Sequence, residues 1–253
     1  MSIHTHTENR VAHIRIARPE KKNALSQAMY QSLAVAIDAA VADSAVRSVL
    51  LYGEPAIFTA GNDLEDFLKS PVSGMDAPVF QFMLKFSACP KPIVVAVSGP
   101  AVGIGTTLLL HADLVYAADT AMFSMPFVTL GLCAEFGSSA LVPALRGTAQ
   151  VAEKLLLGET ISADEALDLG FVTQLIPAGD VLAHATRKAE KFGQLPPDAV
   201  RSTKKLMRAA THANMPAIIA AEAQEFGRLL RSEEAKEAMT AFFQKRKPDF
   251  SQF

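Results

Sequence analysis

The sequence predicts an α/β fold. Three observations lead there. Short β-branched or apolar runs alternate with amphipathic segments along the first two thirds of the chain. One of those runs, Ile93 to Val97, is apolar at every position, as for a strand buried on both faces of a parallel sheet. Glycine-rich turns sit between strand ends and helix starts, and 13 of the 14 glycines lie before Pro196.

The elements follow in order. Arg10 to Ala17 reads as a strand, with β-branched Val11, Ile14 and Ile16. A turn at Arg18-Pro19-Glu20 leads to an amphipathic helix. Ser26 is its N-cap, and Met29, Leu33, Ile37 and Val41 form one face at spacing four. Val49 to Tyr52 is a second strand, stopped by Gly53. Ile93 to Val97 is a third, and Leu114 to Tyr116 a fourth. A helix over Thr106 to Leu110 lies between these last two. Ser162-Ala163-Asp164-Glu165 has the form of a capping box, with Gly170 as the C-terminal stop and a short strand over Val172 to Ile176. After Pro196-Pro197 the chain reads as nearly all helix. Its last 57 residues hold one glycine, Gly227, with ten Lys or Arg against seven Asp or Glu, a local charge of +3. A solvated helical face accounts for that excess. The sharper reading is a helical unit that packs on a neighbour and offers cations to an anionic ligand.

Composition narrows the function classes. The 253 residues are 50% hydrophobic and carry a net charge of −2, which excludes disordered, collagen-like and disulfide-rich classes. A charge so near zero argues against a dedicated nucleic-acid or membrane-surface binder. Two cysteines, Cys89 and Cys133, without a CxxC, fit a reduced compartment and offer no structural zinc site. Met1 to Arg10 is polar and unlike a secretory signal. His4 and His6 there are read as part of an unpinned terminal tail rather than as chelators. The most apolar stretch, Ile93 to Ala118, is broken by Pro100, His111 and Asp113, so no membrane span is expected. Ser251-Gln252-Phe253 is not a peroxisomal address, and the expected location is cytoplasmic. No GxGxxG after a strand, GK[ST], HExxH or GxSxG is present.

Three segments carry candidate chemistry. In Phe58-Thr59-Ala60-Gly61-Asn62-Asp63-Leu64, the small Ala60-Gly61 pair lets the backbone bend toward a ligand. Asp63 can cap the next helix, and backbone N–H groups there are free for an oxyanion. Ser98 to Thr107 brings three glycines, Gly99, Gly103 and Gly105, to a second helix start with the same potential. In Phe123 to Ser139, Glu135 is the only carboxylate between Asp119 and Glu153, and apolar Cys133, Ala134 and Phe136 flank it. Burial there raises its pKa and suits it to proton transfer. Taken singly, each segment is an ordinary turn or a surface Glu. Together they form a coherent set: two anion holes and one isolated base, the parts needed for enolate chemistry.

At these residues the chain resembles the enoyl-CoA hydratase/isomerase, or crotonase, family. The resemblance runs through Arg18-Pro19 with Asn23-Ala24-Leu25, Ala60-Gly61-x-Asp63-Leu64, and Gly99-x-Ala101-x-Gly103-x-Gly105. It continues in Ala163-x-Glu165-Ala166-x-x-x-Gly170-Phe171-Val172 and ends in Ala241-Phe242-Phe243-x-Lys245-Arg246-Lys247-Pro248. It implies a spiral of ββα turns over residues 1–195 bearing an acyl-CoA site, and a helical trimerisation region over 196–253. It implies an acyl-CoA thioester as substrate, a homotrimer or dimer of trimers, no nucleic-acid or membrane partner, and neither metal nor other cofactor. The oxyanion donors would be the backbone N–H groups of Asn62 and Ile104. The substrate would be bordered by Lys22, Ala24, Ala60, Gly61, Asp63, Leu64, Gly103 and Phe127. Phe242 or Phe243, with Lys245, would reach the CoA of a neighbouring subunit.

The departures shape the expected activity. The two positions where hydratases of this family carry glutamates are Thr107 and Phe127 here. Adding water across a double bond needs a base and an acid, and neither residue supplies one. Gly99-Pro-Ala-Val-Gly-Ile, Met125-Pro126-Phe127 and Leu130-Gly131-x-x-x-Glu135 instead resemble the peroxisomal-type Δ3,Δ2-enoyl-CoA isomerases, whose single catalytic Glu matches Glu135. Their usual Pro-Glu-Gly is Ala134-Glu135-Phe136 in this chain. The resemblance thus implies an isomerase that shifts a C3 double bond to C2. The competing expectations are a hydratase or another family enzyme on a different acyl-CoA, and a non-catalytic CoA- or RNA-binding relative.

Overall fold

The computed structural model describes residues 2–69 and 74–253. Strands and helices alternate as the residue patterns predict. In chain order they are β1 (Ile3–Glu8), β2 (Val11–Ile16), α1 (Gln27–Ala42), β3 (Ser48–Tyr52), α2 (Leu64–Lys69), α3 (Pro78–Ser87), β4 (Ile93–Val97), β5 (Ala101–Val102) and α4 (Ile104–Thr107). They continue with β6 (Leu114–Ala118), β7 (Met122–Ser124), α5 (Ser138–Arg146), α6 (Thr148–Ala152), β8 (Ile161–Ser162), α7 (Ala163–Leu169), β9 (Gln174–Ile176), α8 (Val181–Lys191), α9 (Pro197–His212), α10 (Met215–Leu229) and α11 (Glu233–Phe243).

The larger sheet has the order β1-β2-β3-β4-β6-β9, with β1 antiparallel to β2 and every later pair parallel. A smaller sheet, β5-β7-β8, lies beside it. The two are joined turn by turn. After β2, β3, β4 and β6 the chain makes a short extended step that pairs with its neighbour. Leu25 bridges Asn62 in parallel, Thr59 bridges Ala101 in parallel, and β5 pairs β7 in parallel. This stacking of like turns is the ββα spiral that the resemblance implies. β4 is buried at all five positions, as its unbroken apolar run requires. α8 packs across β3, β4 and β6, and α1 packs on α3.

Several expectations are corrected. The N-terminus is not an unpinned tail. Ile3–Glu8 pairs with β2 along its full length, and the His6 ring stacks on its cross-strand partner His13 at 4.4 Å and 14°. His6, Glu8 and His13 bring ligand atoms within 4.8 Å of one another, but nearly parallel ring planes do not aim both nitrogen lone pairs at one point. On α1, Val41 faces out. The buried set is Met29, Tyr30, Leu33, Ala34, Ile37 and Ala40, because the true period of 3.6 drifts away from a strict spacing of four. The helix expected over Thr106 to Leu110 is α4 followed by a 3₁₀ turn over Leu108–His111. The capping box at Ser162 and Glu165 forms in full, and Gly170 ends α7 in the left-handed region at φ 92°.

The basic tail is three helices, and two of its cations turn inward. Lys204 Nζ lies 2.7 Å from Asp113 Oδ2, and Arg208 lies 2.9 Å from Asp113 Oδ1. Asp113 also accepts from the Ile93 N–H at 2.7 Å. Those two charges therefore pin α9 to the sheet and are not offered to a ligand. Among the described residues, no helix is long and apolar enough to cross a membrane.

Candidate active site

The wall of the site begins at the turn before α1. Asn23 is fully buried in a left-handed conformation, φ 57°. Its side-chain amide donates to the Ile57 and Phe58 carbonyls at 3.2 and 3.1 Å, and its Oδ1 accepts from the Arg18 N–H at 2.7 Å. Its own carbonyl accepts from the Thr59 hydroxyl at 2.7 Å. One buried amide thus locks residues 18–23 to residues 57–59, and Lys22, exposed, takes the Ala60 N–H on its carbonyl at 3.0 Å. Asp63 serves two partners. It accepts from the Arg18 guanidinium at 2.8 Å and caps α2 by accepting from the Asp66 N–H at 3.3 Å. Burial works to raise its pKa, but the Arg18 and Asp66 hydrogen bonds prevail and hold the carboxyl below the usual range.

Two backbone donors come from equivalent places on successive turns. Thr59 pairs with Ala101 in parallel; three residues on from each stand Asn62 and Ile104. Close approach between the turns demands glycine. A Cβ on Gly61 would sit 2.8 Å from the Val102 carbonyl oxygen, and one on Gly105 would sit 2.5 Å from the Thr59 methyl. Gly103 takes φ 56°, ψ −121°, a conformation open to glycine and strained for any other residue. Among the described residues, neither the Asn62 nor the Ile104 N–H donates to a protein acceptor. The Asn62 side chain is held from α1, where the fully buried Tyr30 hydroxyl donates to its Oδ1. Burial first, and the Glu135 charge second, push the Tyr30 phenol well above its ordinary pKa.

Glu135 completes the set. It is buried, and its Oε1 accepts from the Thr107 hydroxyl of α4 at 2.6 Å. Its Oε2 is buried and, among the described residues, has no hydrogen-bond partner. Burial pushes the carboxyl up to about 8; the Thr107 bond opposes that rise and the Glu222 charge adds to it. Glu135 and Asn62 line one narrow cavity of about 20 Å3 with Phe67, Val79, Phe80, Met83, Phe136, Ile219, Glu222, Ala223 and Phe226.

The residue after the carboxylate is strained. Phe136 has φ 55°, is wholly buried, and stacks on His111 at 4.2 Å. The His111 Nε2–H donates to the Phe136 carbonyl at 2.7 Å, and burial pushes the imidazole down to about 3, so it stays neutral. Gly137 follows at φ 73°, and a Cβ there would meet the Met215 sulfur at 2.4 Å. The Ser138 hydroxyl then donates to the Glu135 carbonyl at 2.6 Å.

The structure sets Asn62 and Glu135 on one cavity; Gly61 packs against Gly103, and the Phe127 ring edge lies 3.7 Å from where a Gly103 Cβ would be, with Ile104 the next residue along the chain. Ala24 and Leu64 are half-buried near the Arg18–Asp63 link, beside Ala60. Phe243 and Lys245, at the exposed end of α11, do not line the cavity of this chain. Sequence reading missed Tyr30 and Glu222. The signal for Tyr30 was its place beside Met29 on the buried side of α1. For Glu222 it was an acidic residue in an otherwise apolar stretch, Ile218 to Ala223.

Residues 6–253 match the family model described as enoyl-CoA hydratase/isomerase. The chain belongs to this family. It is 32% identical over 247 residues to human enoyl-CoA delta isomerase 2, covering 95% of this chain and 62% of that protein. The chain therefore spans under two thirds of the length of that relative, and likewise of its rat counterpart. It is 30% identical to 2,3-dehydroadipyl-CoA hydratase of Escherichia coli, with 96% of each chain covered. Among solved structures, an enoyl-CoA hydratase/isomerase from Pseudoalteromonas atlantica superposes with a TM-score of 0.94 at 40% identity, covering 99% of this chain and 100% of that one. Isomerases and hydratases of the family are thus similarly distant from this chain.

Proposed function

We propose that this family member is an acyl-CoA isomerase that moves a double bond from C3 to C2 of the acyl group. The carrying observation is Glu135. It is a buried carboxylate with one oxygen tied to Thr107 and the other free, on a cavity it shares with Asn62. In this reading the thioester oxygen accepts from the N–H groups of Asn62 and Ile104. Glu135 takes a proton from C2, and the electron pair of that C–H bond delocalises onto the thioester oxygen as a dienolate. The C3–C4 π pair of the dienolate then takes the proton back from Glu135 at C4, the C1–C2 π pair shifts to C2–C3, and the oxygen's electron pair reforms the carbonyl. Atoms and charge balance, and no water enters. A backbone donor at a developing oxyanion is worth about 2.7–4 kcal/mol.

A hydratase is the second reading, favoured by Glu222 as another carboxylate on the cavity wall. Both Glu222 oxygens accept from backbone N–H groups of Gly137 and Ser139, which leaves one carboxylate with a free face. We further propose a trimeric assembly built on residues 196–253, in which exposed Phe242 or Phe243 and Lys245 reach the CoA of a neighbouring subunit.

The test offers purified protein a 3-enoyl-CoA and, separately, a 2-enoyl-CoA, and follows the absorbance of the conjugated thioester. A rise with the first and no loss with the second supports the isomerase. Loss of the second identifies a hydratase, and silence with both overturns the proposal.

A further inference from the structure

Helix α10 reaches the catalytic loop through a buried carboxylate that the proton-transfer scheme leaves without a task. Met215, Ile219, Glu222 and Phe226 fall on one face at helical spacing, and the last three line the cavity. Glu222 Oε2 accepts from the Gly137 N–H at 2.6 Å. Its Oε1 accepts from the Ser139 N–H at 3.0 Å and from the Ser139 hydroxyl. All three donors belong to the turn that follows Glu135, and acceptance at both oxygens is the pattern of a carboxylate rather than a carboxylic acid. Met215 adds a steric contact on the same turn, against Gly137.

We propose that Glu222 is a positioning residue for Glu135: by gripping the Gly137–Ser139 backbone from α10, it sets the direction in which Glu135 Oε2 faces the cavity. This rests on the reading of Glu135 as the proton carrier. Two buried carboxylates on one cavity wall also repel, and the Glu222 charge adds to the burial that raises the Glu135 pKa. The groups facing Glu135 are Thr107 from α4, Tyr30 from α1 and Glu222 from α10, with neutral His111 behind Phe136. Burial raises the Cys133 thiol to about 11, so it adds no charge near neutrality. Glu222 is therefore the anion in this group that a single substitution can remove without touching Glu135.

The experiment uses Glu222→Gln and Ser139→Ala in the full chain. Gln keeps the shape but presents only one acceptor oxygen to two backbone donors, and it has no charge. Ser139→Ala removes the hydroxyl donor alone. Two readouts are taken: the carboxyl carbon-13 titration of Glu135 in ligand-free protein, and kcat and KM for a 3-enoyl-CoA against pH. For Glu222→Gln the expected result is a downward shift of the Glu135 midpoint and of the acid limb of the rate profile. A fall in kcat of about tenfold or more is expected, with KM within about threefold. Ser139→Ala is expected to lower kcat severalfold and leave the midpoint in place. An unchanged midpoint and unchanged kcat in folded Glu222→Gln would overturn the proposal. If Glu222→Gln does not fold, an unchanged kcat in Ser139→Ala overturns it. Absence of turnover by the wild-type protein would instead sink the isomerase reading, while the titration still reports on Glu222 and Glu135.

Discussion

The Thr107 hydroxyl donates to Glu135 Oε1 at 2.6 Å, so a side chain of α4 tethers the carboxylate. One oxygen is fixed and the other is left facing the cavity. A carboxylate held this way pivots little, and its second oxygen keeps its lone pairs uncommitted.

Glu135→Gln keeps that shape and removes the base. Isomerisation is expected to fall by about 10²–10⁴, the usual worth of positioned proton transfer, with KM little changed. Steady-state kinetics on a 3-enoyl-CoA checks it; near-normal turnover would falsify the role.

The raised pKa has two consequences of defined sign. Glu135 must be ionised to act, so kcat/KM should rise with pH and level off above about 8. For stability, the unfolded carboxyl ionises from its ordinary 4.5 upward, while the folded one holds its proton to about 8. The wild-type protein therefore loses stability across that window as pH rises. Glu135→Gln should melt progressively higher than wild type over it, by roughly a few kcal/mol at the top. Equal melting temperatures at pH 5 and pH 8 for the pair would contradict the burial argument.

Thr107→Val removes the one hydrogen bond that steadies the ionised form of Glu135. A hydrogen bond to a charged group is worth about 1.5–3 kcal/mol. The variant should lose roughly ten- to hundredfold in rate at neutral pH, and its acid limb should move to higher pH. A pH profile separates this from a purely geometric loss.

A Cβ added by Gly103→Ala makes only an ordinary van der Waals contact, with the Phe127 ring edge at 3.7 Å, so its cost is conformational. At φ 56° and ψ −121° that cost is about 1–3 kcal/mol. Denaturant titration should show it, and kcat should fall as the Ile104 N–H shifts.

Phe136→Gly relieves a left-handed backbone but empties a wholly buried ring site. Deleting a buried Phe costs about 3–5 kcal/mol, and removing the αL strain returns about 1–2 of that. The net expectation is a less stable protein with a wider cavity, read as a lower KM for acyl groups with bulk near the reacting carbons.

Much of the site was legible because its logic is local. Gly61, Gly103 and Gly105 announce close backbone approach, and Glu135 stands alone among apolar neighbours. Strands such as Ile93–Val97 declare themselves by unbroken apolar runs. What sequence did not show is what tertiary contact alone decides. The polar run Ile3–Glu8 carries little strand signal and becomes one only because β2 offers an edge. Glu222 lies 87 positions from Glu135, and its apolar neighbours do not signal that α10 returns to the loop bearing Glu135. Tyr30 sits among the buried residues of α1, and only the contact of its hydroxyl with Asn62 ties it to the site.

The parallel step from Thr59 to Ala101 sets Asn62 and Ile104 as matched main-chain donors, while their side chains are occupied elsewhere, Asn62 with Tyr30 and Ile104 in the core. In the proposed reaction the polarising half of the site is thereby written into chain geometry and the proton-handling half into replaceable side chains. On that reading, a lineage built on this scaffold exchanges one reaction for another by relocating carboxylates and keeps its main-chain donors throughout.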